Sequence, residues 1–100
     1  MNNEKIMSLL HLAQKAGTLI IGKSAVQLLL RKKRIALAIV ALDAPDKLKQ
    51  QIEFDCRRLN IPMILFSTKD ALGEMCGHET VATVAVTDRN LAAGLKLEFQ

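Results

Sequence analysis

The sequence has no tryptophan or tyrosine, and its only aromatic residues are Phe54, Phe66 and Phe99. A surface that stacks bases on exposed rings therefore has little to work with, which argues against single-strand recognition by stacking. Cysteine is equally sparse. Cys56 and Cys76 have no second Cys nearby and no His at metal-ligand spacing, so a zinc site and a disulfide framework both lack parts. The two read as small buried thiols, with Arg57 and Arg58 beside Cys56 the one hint of a reactive thiolate. Long apolar runs are missing too. The longest, Ile35 to Leu42, falls far below the roughly 20 residues that a helix needs to cross a bilayer. The opening MNNEKIMSLLHLAQKAG includes an acid and breaks its apolar positions with His and Gln, unlike a secretory leader. A cytoplasmic protein without membrane attachment is expected.

Catalytic machinery is thin. His11 and His78 stand far apart, with no Ser or Cys that the sequence sets beside either. Asp43 follows an apolar stretch, where α/β enzymes and phosphoacceptor domains often carry a carboxylate, but it reads equally as a turn aspartate capping the next helix. Gly17 and Gly22 form neither a G-x-G-x-x-G nor a Walker pattern, so no nucleotide fingerprint exists. We expect no enzyme, cofactor or metal.

What is present is a folding chain of one domain's length, residues 1–100, half of it apolar and 24% charged. Ile6, Leu9, Leu10 and Ala13 recur at helical spacing, with Asn3 as N-cap and Gly17 as terminator, predicting a helix near 4–16. Thr18 to Ile21 is a short strand. A second helix follows, capped by Ser24 and ending in a basic tail at Arg34. The apolar Ile35 to Leu42 suits a central strand covered on both faces. A turn at 43–46 precedes a third helix to about Arg58, and a strand from Met63 to Phe66 follows Pro62. Ser67 and Asp70 make a capping-box-like start for a short helix ending at Gly77. Val81 to Val86 alternates as a strand, and Asp88 opens a last helix to about Leu97. This alternation predicts an α/β fold, a three-layer α/β/α sandwich with a mixed sheet of about four strands.

Charge is lopsided. Residues 1–34 hold Lys5, Lys15, Lys23, Arg31, Lys32, Lys33 and Arg34 against Glu4 alone, whereas the remainder carries more acids than bases. Such a patch is a footprint for phosphate-rich partners, and equally what the macrodipole favours at a helix C-terminus. Gly22 and Lys23 at a strand-to-helix turn could hold an anion on the first helical N–H groups, or form an ordinary connection. Leu72 to Glu79, bounded by Gly73 and Gly77, could let backbone approach a partner or simply end a helix.

Together, AGTLIIGKS, the basic helix end, the apolar strand closing on Asp43, RRLNIPMILFSTKDALGEMCGHE and VATVAVTD resemble the kink-turn RNA-binding ribosomal-protein family, most closely its small bacterial YlxQ-type branch. The most specific stretch runs from Asn60-Ile61-Pro62 through Ser67, Lys69, Leu72-Gly73 and Cys76-Gly77 to Glu79. The resemblance implies a non-catalytic RNA-binding ribosomal or ribosome-associated protein; a monomer is expected, with ribosomal or translation-factor proteins as further partners to consider. It also implies one composite surface. Lys23 and Ser24 would hold phosphate, Gln27 would offer a hydrogen bond, and Gly22, Gly73 and Gly77 would let backbone approach RNA beside Leu72, His78 and Glu79. Arg31, Lys32 and Lys33 would add non-specific attraction. Where the family's RNA binders carry Asn, Glu and then Lys, this sequence has Ser24, Ala25 and Leu28, which removes a base-reading carboxylate and a phosphate-binding ammonium. The other reading of those changes is a protein-interaction module that kept the fold and lost the RNA readout.

Overall fold

The computed structural model describes residues 2–99. Helix α1 covers Asn3–Lys15, strand β1 Leu19–Ile21, α2 Lys23–Arg31, β2 Leu37–Val40, α3 Asp46–Leu59, β3 Met63–Leu65, α4 Lys69–Cys76, β4 Thr83–Val86 and α5 Arg89–Glu98. The expected elements are all there, and most differences lie at their caps. Asn2 rather than Asn3 caps α1, its Oδ1 accepting from the Lys5 N–H at 3.1 Å. Thr68 rather than Ser67 caps α4, accepting from the Ala71 N–H, because Ser67 sits in the left-handed region. Asp88 caps α5 as expected, accepting from the Leu91 N–H at 2.9 Å. Ser24 is no cap: it lies inside α2, whose N-cap is Gly22.

The four strands form one sheet in the order β1-β4-β2-β3, with β2 and β3 parallel and the other pairs antiparallel. Every residue of β2 and β4 is buried, as a doubly covered centre requires, while the edge strand β3 is only partly so. Helices α1, α4 and α5 pack together on one side and α2 and α3 on the other, so the mixed three-layer sandwich is the observed fold. Ile6, Leu10, Val26, Leu30, Ile52, Leu72 and Leu95 have no exposed surface. Each such side chain contributes roughly 1.5–3 kcal/mol through burial. Thr83 is the buried polar residue of the core, and its Oγ1 donates to the Ile39 carbonyl at 2.8 Å.

Register divides the connections between two ends of the sheet. Ile21 pairs with Val84, Val40 with Thr83, and Leu65 with Val40, so the β1–α2, β2–α3, β3–α4 and α4–β4 connections share one end. Leu19 and Leu37 both pair with Val86, which puts the α1–β1, α2–β2, α3–β3 and β4–α5 connections at the other.

Candidate nucleic-acid interface

At the first end the chain turns from β1 into α2 at Gly22, whose φ of 98° falls in a region that L side chains rarely adopt. The Gly22 N–H donates to the Thr83 carbonyl at 3.0 Å, while its own carbonyl accepts from the Val26 N–H. A glycine cap has no side chain, so the N–H groups of Lys23, Ser24 and Ala25 open α2 without a capping bond. They form a concentration of partial positive charge beside the exposed Lys23 and Ser24, suited to a phosphate oxygen.

The second segment to consider is the loop from Gly77 to Ala82, which leads into Thr83 and so emerges at the same end of the sheet as the Gly22 turn. It is fixed from within. The His78 N–H donates to the Gly73 carbonyl at 2.8 Å, and the Val81 N–H to the Lys69 carbonyl at 3.0 Å. A Cβ on Gly73 would come within 2.5 Å of the Glu79 carbonyl oxygen, so the absent side chain is what lets the loop close on α4. Two further braces escaped sequence reasoning. Asp43 Oδ1 accepts from the Lys69 N–H at 2.8 Å, and Gln14 Nε2 donates to the Cys76 carbonyl at 3.3 Å. Asp43 thus serves the first turn of α4, not the helix that follows it. The signal for this brace was the Asp itself, but its partner lies 26 residues on.

Several expected site residues stand elsewhere or are engaged within the fold. Leu72 is wholly buried, and Gly73 is packed by the chain's own loop, so neither offers surface to a partner. Gly77, in the left-handed region, and His78 and Glu79 are exposed. Gln27 Nε2 donates to Gln51 Oε1 at 3.3 Å, which ties its amide to α3 rather than leaving it open beside the turn. Arg31, Lys32 and Lys33 lie at the opposite end of the sheet, because the nine residues of α2 carry the chain about 13 Å away from Gly22. Of the residues expected to form one composite surface, Gly22, Lys23 and Ser24 and Gly77, His78 and Glu79 stand at one end of the sheet with surface open to a partner.

Chemistry elsewhere is muted. Burial, with the Asp55 carboxylate second, pushes the Cys56 thiol up to about 11, and burial also raises Cys76. Both are neutral thiols near pH 7, the opposite of a nucleophile. His11 is exposed on α1.

Known proteins share this sequence pattern and this fold. The chain is 28% identical over 87 residues to large ribosomal subunit protein eL30 of Methanopyrus kandleri, covering 85% of this chain and 80% of that protein. A solved structure of a protein of unknown function from Bacillus halodurans C superposes with a TM-score of 0.88 at 26% identity, covering 93% of this chain and 94% of the other. The sequence profile of the ribosomal protein L7Ae/L30e/S12e/Gadd45 family matches residues 4–95. Members of that family are typically RNA-binding ribosomal proteins rather than enzymes, and with nearly its whole length matched, the chain belongs to the ribosomal protein L7Ae/L30e/S12e/Gadd45 family.

Proposed function

We propose that this protein binds kinked, structured RNA through the Gly22–Ser24 turn and the Gly77–Glu79 loop, as a cytoplasmic, monomeric ribosomal or ribosome-associated protein of the small bacterial YlxQ-type branch. One observation supports the reading: the Gly22 N–H at the uncapped start of α2 donates to Thr83, the β4 residue into which the loop after α4 leads, so both segments emerge at the same end of the sheet. Amide groups and Lys23 hold phosphates there, and the Ser24 hydroxyl supplies a short polar contact. With Ala25 in place of a base-reading carboxylate, recognition leans on backbone shape. Each absent base contact lowers discrimination by about 1–3 kcal/mol.

The test is Lys23→Ala against a kinked RNA. The expected result is weaker binding and a salt slope lower by about one unit. An unchanged slope removes Lys23 and the turn from the interface. The rival reading, a protein-interaction module, draws on Leu28 and Phe54, exposed at 44% and 67% on the two helices of one face. A protein partner whose binding survives high salt, together with no RNA binding, would favour it.

A further inference from the structure

The end of the sheet opposite the Gly22 turn is the more basic of the two. Its connections carry Lys32, Lys33 and Arg34 against Asp88 alone, Arg89 opens α5 beside them, and the Asp88 carboxylate is engaged in capping that helix. The connections at the Gly22 end carry Asp43 and Glu79 and no lysine or arginine, and the helices that start there open on Lys23, Asp46 and Lys69. Between α2 and α5, a groove of about 430 Å³ is lined by Lys33, Arg34, Thr87 and Arg89, and Arg89 continues into a second hollow that reaches Asn60 and Lys96. Neither hollow is lined by an acid or an aromatic ring. Among the described residues, the ion pairs engage Lys5, Lys49, Arg57 and Arg58, so these groove cations have no acidic partner.

Lys33 adds an independent observation. Helices α1, α2, α3 and α4 each end on a left-handed residue, and in the other three this is Gly17, Asn60 or Gly77, the types that adopt it most readily. At α2 it is Lys33, with φ of 57°, held by its own N–H donating to Leu30 and that of Arg34 to Leu29. A lysine stands where glycine would relieve strain, and both it and the next residue, Arg34, line the groove.

We infer that this groove is a second RNA contact, one that takes the phosphate backbone of a duplex. Cations without acids match phosphate. The missing rings argue against a stacked single strand. None of the exposed large apolar side chains lines the groove, so it lacks the insertion residues of a lipid surface. If the Gly22 end also takes kinked RNA as proposed, a molecule 30 Å in its longest extent would bridge two helical segments, and that bridging alone rests on the reading above. The contact does not depend on the function proposed for the Gly22 end.

The experiment is a titration of an uninterrupted RNA duplex with the whole chain, with Lys33→Gly/Arg34→Gln/Arg89→Gln, and with Lys23→Ala. Lys33→Gly suits the left-handed turn, so the triple variant folds, which its denaturation midpoint checks. The expected result is at least a tenfold loss of duplex affinity and a salt slope lower by two to three units in the triple variant, with Lys23→Ala near wild type. Duplex binding unchanged in a folded triple variant overturns the inference. So does wild-type binding to phosphatidylserine vesicles without duplex binding. Loss in Lys23→Ala alone would assign duplex binding to the Gly22 end, whereas failure of the kinked-RNA reading would show as no preference for kinked RNA with the triple variant's loss intact.

Discussion

Replacing Gly73 by alanine tests how the candidate interface is held. The new Cβ would stand 2.5 Å from the Glu79 carbonyl oxygen, 2.7 Å from its carbon and 2.8 Å from Thr80 Cα. All three are backbone atoms, so no rotamer change relieves the contact, and either α4 or the loop must move. Overpacking of this kind costs about 1–3 kcal/mol, and contact with rigid backbone puts Gly73 toward the upper end. Alanine returns about 1 kcal/mol of helix propensity. The net expectation is a loss of about 2 kcal/mol, or a melting temperature lower by about 10 °C for a chain of this size. Gly94→Ala is the matched control. Its Cβ would meet Leu9 Cδ1 at 3.6 Å, an ordinary contact, so the propensity gain stands and stability rises by about 0.5–1 kcal/mol. Urea denaturation of both variants beside wild type reads the difference, and kinked-RNA affinity should fall with Gly73→Ala alone. A Gly73→Ala protein as stable as wild type would refute the reasoning, because it would mean that the loop does not depend on that close approach.

Two other substitutions probe the frame around the site. Asp43→Ala removes the acceptor for the Lys69 N–H at the start of α4, and a stability loss of about 1 kcal/mol is expected by denaturant titration, with the far-end duplex contact unaffected. The Cys56 thiol is held up to about 11, so in the unfolded chain it ionises first, near its ordinary value of 9. Its contribution to stability is full below pH 9 and is lost as pH rises toward 11. Denaturation midpoints measured across pH 8 to 11 should fall less steeply in Cys56→Ala than in wild type. Equal slopes would contradict the burial of that thiol.

Periodicity and punctuation carried most of the architecture. Ile6, Leu10 and Ala13 marked α1, the unbroken apolar run at 35–42 marked a central strand, and Asp88 marked the start of α5, because each reports a local preference that the fold leaves intact. Caps were less legible. Asn2 and Asn3 are the same residue type, and Ser67, the better cap by type, gives way to Thr68 because its own backbone is left-handed, so the path of the chain decides between neighbours. The site was half legible. Gly22 and Gly77 announced backbone that approaches or turns, yet Gly73 serves the chain's own loop and Leu72 the core, a distinction that depends on contacts between α4 and residues six or seven positions later. Charge counted along the sequence groups the basic tail of α2 with the Gly22 turn. A helix between them sends them to opposite ends of the sheet, which no charge count along a chain reveals.

The most direct measurement of the central claim is a titration of the purified protein against a kink-turn RNA and an uninterrupted duplex of equal length, at two salt concentrations. Raising the salt screens the charge-driven contact of the Lys33–Arg89 groove more than a readout of shape by amides and Ser24. The account predicts that the kinked RNA is preferred and that the preference persists, or widens, at the higher salt. Equal affinity for both RNAs, falling steeply together as salt rises, would contradict it and leave the protein only a basic patch.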